Sequence, residues 1–495
     1  MFASRRRVYP ALVVLAIGFG AGAARADDAS NQQMQQKIDQ LEAKVDALQA
    51  QQNQSLTQSK NQAKQDDSAT MNKIVSDADS QSQLLSPVTG ASGYDPATGF
   101  HISSDDGNFF LHPWALAQFR GVINDRQAIQ GLADGGEADR TTGSTETDGF
   151  EVHNLMIGMN GHVVTPNLQY YLMIDTPSSG GGETLQDAYM TYRLGDNCPW
   201  TFKAGQFVDP VWHESNVDDG HLLMVDRSLV GALLGGNTGL NNIAERVQGV
   251  GLSFNSDCIR GEFDLTDGYG TANTPFYNTA AAANRPATDF GMSGRVEAKV
   301  LGDATAWNGY DSLSAKDDTA DSLIVGGGLE WTEAANLDNI YLTLDGQYAS
   351  PRGLNIYAAV LEDYAAWSDR AAGQGALEED LAGTYPNFGF VAQAGFMINP
   401  QVEPFVRYDL SLLNSRYADI LAFGNKNPGG NEKATANNHE FTVGLNYYLF
   451  SYRAKVTGDV SFLPNGSVID ATGLGILANE NHSEWVGRVQ FQLSI

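Results

Sequence analysis

From near residue 105 to the last residue, apolar and polar positions alternate over stretches of about ten residues, and the pattern recurs about sixteen times. The final stretch has Trp485, Gly487, Val489, Phe491, Leu493 and Ile495 on one parity and Val486, Arg488, Gln490, Gln492 and Ser494 on the other. A period of two turns successive side chains to opposite faces of a strand, so each stretch has one apolar and one polar face. Strands of soluble proteins average about 5 or 6 residues, whereas a tilted strand crossing a bilayer needs about 9 to 11. The pattern predicts an all-β fold, a transmembrane antiparallel barrel of about 16 strands, apolar toward lipid and polar toward the lumen.

The alternation places strands near 110–120, 152–163, 168–175, 186–194, 200–207, 246–254, 258–266, 290–300, 323–331, 340–348, 354–361, 388–397, 402–409, 440–449, 452–461 and 485–495. Connections mostly alternate between short and long, as periplasmic turns and external loops do, which puts both termini in the periplasm. The connection 301–322 falls on the short side and breaks the rhythm.

The N-terminus adds an address. Arg5, Arg6 and Arg7 precede an apolar run from Ala11 to Ala23, and Ala24-Arg25-Ala26 has the form of a secretory cleavage site, so 1–26 is predicted to be a signal peptide. That run is too short for a spanning helix, and no later stretch reaches the roughly 18 apolar residues one requires. Residues 27–85 contain no aromatic, Gly or Pro, and Met34, Ile38, Leu41, Val45 and Leu48 follow a/d spacing. The segment reads as a short periplasmic coiled coil, most simply a trimer, or as a solvated helical tail; the seam decays at Gln52 and Ser55. Residues 86–99, with Pro87, Gly90, Gly93, Pro96 and Gly99, form a linker, and 100–495 the barrel.

Composition changes the picture in one respect. Mean hydropathy is -0.28, as expected where lipid-facing and lumen-facing residues alternate, but the net charge is -29. Nucleic acid is excluded as a partner, because neutralising phosphates needs a basic face.

Four motifs in order carry a family resemblance: Leu185-Gln186-Asp187-Ala188-Tyr189; Phe202-Lys203-Ala204-Gly205-Gln206-Phe207, ending at Pro210; Asp226-Arg227-Ser228; and Arg246-Val247-Gln248-Gly249-Val250. With Phe441 to Tyr448 and Ala454-Lys455, they resemble the phosphate-selective porin family, porins O and P. The resemblance covers roughly 100–495. It implies a sixteen-stranded trimeric channel of the bacterial outer membrane whose third loop, here 208–245, narrows the lumen. It also implies an arginine ladder leading phosphate to a lysine-rich constriction, and here the sequence departs. Past residue 100 there are 6 Lys and 15 Arg against 49 acids, and the loop holds Asp209, Glu214, Asp218, Asp219, Asp226 and Glu245 with the single base Arg227. Like charges lining a passage repel co-ions and concentrate counter-ions. The expectation is therefore a general or mildly cation-preferring pore for ions and small hydrophilic solutes.

Ten bases fall on the polar parity of their strands: Arg120, Arg193, Lys203, Arg260, Arg295, Lys299, Arg407, Arg453, Lys455 and Arg488. Charge on the lipid face costs about 2 to 4 kcal/mol at the midplane, so these face the lumen, either as cross-strand ion pairs or as a transport ladder. Trp200, Tyr447, Tyr448, Tyr452 and Trp485 at strand ends read as interfacial girdles. Cys198 and Cys258 fall on the periplasmic rim of adjacent hairpins, where export permits a disulfide; two free thiols are the alternative.

No G-x-S-x-G or H-E-x-x-H occurs, and His213-Glu214 lacks a second His four residues on, so neither catalysis, a metal nor a cofactor is expected. The rivals to a general porin are a structural anchor that tethers the envelope through its coiled coil, with cell-wall contact through the N-terminal arm, and a phosphate-selective channel. The expected partners are outer-membrane lipid and two further copies of the chain.

Overall fold

The computed structural model describes residues 91–95, 99–126, 146–176, 184–234, 246–268, 271–274, 288–303, 305–316, 320–334, 337–367, 383–418, 435–479 and 481–495. The expected signal peptide, the helical segment 27–85 and Glu245 lie outside them.

A hairpin of β1 (Ala91–Asp95) and β2 (Gly99–Ser103) precedes sixteen longer strands. These are β3 (Phe110–Arg126), β4 (Glu146–His162), β5 (Leu168–Asp175), β6 (Thr184–Arg193), β7 (Trp200–Val208), β8 (Arg246–Asn255), β9 (Ile259–Thr266) and β10 (Thr288–Leu301). They continue with β11 (Ser322–Ala334), β12 (Leu337–Ser350), β13 (Leu354–Trp367), β14 (Gly383–Phe396), β15 (Val402–Leu412), β16 (Asn437–Tyr448), β17 (Ala454–Leu463) and β18 (Glu484–Ser494). Each pairs antiparallel with its chain neighbours, and β18 pairs with β3, Gln490 opposite Arg120, which closes a sixteen-stranded barrel. Every predicted stretch is one of these strands. Several run further than the alternation does, β4 beginning at Glu146 and β13 ending at Trp367, because beyond the hydrocarbon the outward face can be polar.

The parity of the alternation sets the faces. On β18, Trp485, Val489, Phe491 and Leu493 are exposed while Val486, Arg488, Gln490 and Gln492 are 2 % exposed or less. The same inversion recurs on β12, where Leu342 and Leu344 are exposed and Tyr341, Thr343 and Asp345 are buried. Water would penalise such a surface, and a membrane accepts it.

Three segments pack inside the wall, and two of them the sequence reading missed. Beside the expected loop after β7, the described part of the connection 302–321 carries a short helix, Ala306–Tyr310, with Trp307, Tyr310, Leu313 and Ala315 buried. Glu403 on β15 accepts from the Ala315 amide (2.9 Å) and the Ser314 hydroxyl (2.8 Å). This insertion explains the broken rhythm of connections. The third segment, 464–483, buries Val468 and Ile476 and packs against Val486. Part of the expected linker is also ordered, since β1 pairs along its length with β2.

Candidate channel constriction

The described part of the loop after β7, residues 209–234, folds on its own acids. Glu214, 1 % exposed, accepts from the Ser228 amide (2.9 Å), the Ser228 hydroxyl (2.5 Å) and Trp212 Nε1 (3.3 Å), which ties the two limbs together. Asp209 accepts from the Val211 amide at 3.0 Å, and Asp218 caps a short 3-10 turn by accepting from the Gly220 amide at 2.7 Å. Arg227 pairs with Asp219 and donates to the Val217 carbonyl at 2.7 Å. One face of the loop is apolar. Val211, Trp212, Leu223, Leu229, Val230 and Leu234 pack with Tyr341, Tyr357, Leu361, Tyr385, Val391 and Phe405 of the inner wall.

The polar parity of the wall supplies the remaining anchors. Arg120 and Arg488 reach the Asp226 carboxylate at 2.7 and 3.6 Å, and His153 reaches it at 3.0 Å. Burial opposes the charge on Asp226, yet Arg120, His153 and Arg488 hold its carboxyl below the usual carboxylate range. Arg407 donates to the Asp226 and Arg227 carbonyls, Lys455 to Leu222, Asn446 to Leu223 and Arg295 to Val211, at 2.7 to 3.2 Å. Arg120 also donates to the Thr472 and Gly473 carbonyls and Arg488 to Leu474, so the same bases bind the 464–483 segment. A loop inside a barrel carries backbone carbonyls with no strand to pair with, and these side chains satisfy them.

The ten bases therefore separate into groups. Arg120, Arg295, Arg407, Lys455 and Arg488 are 6 % exposed or less and are occupied with the inserted segments. Lys203, Arg260 and Lys299 stand on β7, β9 and β10. Lys203 pairs with Glu262 and lies 3.8 Å from Asp264, Arg260 pairs with Asp311 at 3.0 Å, and Lys299 donates to the Asp303 carbonyl. Arg193 is exposed at the end of β6. Arg453, expected on a strand, lies in the turn before β17 and donates to the Tyr94 hydroxyl of the hairpin. Cross-strand register places Arg295 opposite Glu262 and Glu297 opposite Arg260, but the bonds run elsewhere: Arg295 pairs with Glu297 and Asp345, each at 2.7 Å.

Of the loop acids, Asp209, Glu214 and Asp226 are buried, Asp219 is half-buried, and Asp218 is exposed. A polar space of about 310 Å³ remains beside the loop, bordered by His213, Asn216, Arg260, Glu262, Glu297 and Asp311. His213 stacks on Tyr310 at 3.9 Å, and burial pushes its imidazole down to about 4 although Asp345 pulls it upward. The loop is thus clamped between the wall and the 302–321 insertion, whose Leu313 amide donates to the His221 carbonyl at 3.2 Å.

Two expectations need correction. Cys198 and Cys258 are free thiols, not a disulfide. Cys198 leads into β7 and Cys258 into β9, with β8 running between. Two interstrand spacings of about 4.8 Å exceed the roughly 7 Å that a bridge spans. Of the expected girdle, Trp200, Tyr447 and Trp485 are exposed, but Tyr448 is buried and donates to Glu403 at 2.5 Å, and Tyr452 donates to the Lys316 carbonyl at 2.9 Å. Both hold the 302–321 insertion in place.

Residues 131–457 match the family described as phosphate-selective porin O and P. Among solved structures, the chain is similar to an anion-selective porin from Comamonas acidovorans, with 11% identity, 78% of this chain and 99% of that chain covered, and a TM-score of 0.52. It is also similar to the outer-membrane protein OmpT of Vibrio cholerae (9% identity, 78% and 98% covered, TM-score 0.46) and the outer membrane channel DcaP of Acinetobacter baumannii (10% identity, 78% and 98% covered, TM-score 0.45). No curated protein sequence matches the chain. With two thirds of its length inside the family's pattern and a closed barrel around an inserted loop, the chain belongs to the phosphate-selective porin O and P family and is an outer-membrane channel for the passive diffusion of small solutes.

Proposed function

We propose that the channel is a general, mildly cation-preferring pore and not a phosphate-selective one. The observation that carries the reading is the occupation of the bases. Arg120, Arg295, Arg407, Lys455 and Arg488 are buried and spent on loop carbonyls and carboxylates, so they form no ladder for anions. The passage then runs between the exposed edge of the loop, with Asp218, Asp219 and Arg227, and the wall that bears Arg193, Lys203, Arg260 and Lys299. Among the described residues, Lys203, Arg260 and Arg227 each pair with a carboxylate and Asp218 has no ion-pair partner, which puts an uncompensated negative charge on the loop side of the passage, in a chain whose 59 acids outnumber its 30 bases. Asp209, Glu214 and Asp226 act as positioning residues that set the width of the gap.

In this reading the protein has no catalytic role. It assembles as a homotrimer in the outer membrane, with the short-turn rim and the N-terminal coiled coil in the periplasm. The test is the purified protein in a planar bilayer under a KCl gradient. Ohmic steps with a cation-preferring reversal potential are expected, and a strongly anion-selective potential would overturn the reading.

A further inference from the structure

The inner wall beside the loop carries a row of aromatic rings that the account above leaves unused. Trp114 on β3, Tyr171 on β5, Tyr189 on β6 and Phe207 on β7 follow one another, with ring centroids 6.0, 5.4 and 6.4 Å apart. Trp114 spans the strand between by lying over Gly158 on β4, where a Cβ would collide with its ring. The same inward parity continues to Asp175 beyond Tyr171 and to Asp187 beside Tyr189, where Met173 on β5 pairs opposite Asp187.

The first three rings are half-buried, so they retain surface toward the lumen, while Phe207 is buried. Phe207 is covered by a cation of the protein itself, with Lys203 Nζ 3.5 Å from the ring centroid. Aromatic faces are the negative side of the ring and attract ammonium groups. The remaining rings have that property with no such cation over them among the described residues.

Carboxylates flank the row. Asp187 shares the inward face of β6 with Tyr189, and Asp218 caps Gly220, which stands against Leu116, itself packed with Trp114 and Tyr171. Arg246 pairs with Asp187 at 3.2 Å and Arg227 with Asp219. Among the described residues, Asp175 and Asp218 have no cationic partner within ion-pair distance. Asp175 is 5 % exposed, and its Oδ1 has no hydrogen-bond partner. Asp175 stands two inward positions along β5 from Tyr171, past Met173, and a buried orphaned carboxylate oxygen on the same wall as a row of π-faces is short of a cation.

We propose that Trp114, Tyr171 and Tyr189, with Asp175 and Asp218, form a subsite for organic cations, ammonium ions carrying aromatic or apolar groups, on their way through the channel. The subsite rests on the pore reading and supplies its solute class. Two measurements keep the readings apart. The first is titration calorimetry of the full chain in detergent with benzyltrimethylammonium, benzenesulfonate and benzyl alcohol as probes. The cation is expected to bind at least tenfold more tightly than either control, and the Tyr171→Leu/Tyr189→Leu variant to weaken it about 3- to 10-fold. Asp218→Asn, which keeps the cap on the Gly220 amide, is expected to weaken it about 3-fold. Equal affinity for the sulfonate or the alcohol, or no change in the double variant, would overturn the subsite.

The second measurement is block of the KCl current by the same cation. A channel that conducts and is blocked equally well in wild type and double variant overturns the subsite and leaves the pore intact. Cation binding that depends on the rings in a protein that never conducts refutes the pore and retains the subsite.

Discussion

Asp226→Ala tests the clamp on the constriction loop. The carboxylate receives Arg120 at 2.7 Å, His153 at 3.0 Å and Arg488 at 3.6 Å, with both guanidiniums buried. At an effective dielectric of about 20, unit charges about 4 Å apart attract by about 4 kcal/mol. Arg120 keeps Glu151 and Arg488 keeps Asp459, so the variant loses only part of its compensation, and about 3 kcal/mol is expected, at the low end for breaking a buried pair. That corresponds to a roughly hundredfold weaker docking of the loop. The barrel does not depend on this residue, so circular dichroism should report an unchanged sheet. Single-channel recording should show larger steps with frequent flicker, and limited proteolysis should cut within 209–234 where wild type resists. Steps, noise and cleavage identical to wild type would refute the clamp. Asp226→Asn, which keeps the shape and one acceptor, should fall between the two.

The pH dependence follows from the same carboxylate. Because the Arg120, His153 and Arg488 cluster holds its folded pKa below the unfolded one, its stabilising contribution is present above about pH 4 and is lost only as pH falls further. The difference in flicker between wild type and Asp226→Asn should thus persist from pH 7 to about pH 4.5; its disappearance near pH 6 would contradict the assignment. Glu403→Ala removes the acceptor shared by Ser314, Ala315 and Tyr448, and it should lower unfolding stability by about 3 kcal/mol, read as an earlier midpoint in urea. An unchanged midpoint would mean that the 302–321 insertion is not held there. Both thiols should take up maleimide without reductant, read as two adducts by mass; no adduct until reduction would restore the disulfide.

The strands were legible because one rule, the two-residue period, governs every one of them and lipid enforces it on one face. The inserted segments were not, because a chain folded inside a barrel follows no period. Its signals are indirect: an over-long turn at 302–321 on the short side, and Trp307, Tyr310 and Leu313 within it. The polar parity of Arg120, Arg407, Lys455 and Arg488 correctly turned them inward, but parity says nothing about what a side chain meets there. Their partners are the carbonyls of residues 222, 226, 227 and 472–474, which pairing along the wall cannot reveal. Rim placement likewise put Cys198 and Cys258 on adjacent hairpins, although the strand predicted at 246–254 already ran between them, and the pairing of β8 with both β7 and β9 separates them by two strand spacings. The aromatic row has the same origin, since Trp114, Tyr171, Tyr189 and Phe207 come from four strands and align only once the sheet is paired.

The central claim is that the inner bases hold the loop and leave the passage to cations. The reversal potential of the wild-type channel across a KCl gradient tests it most directly. A potential displaced toward the potassium equilibrium value is predicted; one displaced strongly toward the chloride value would contradict it.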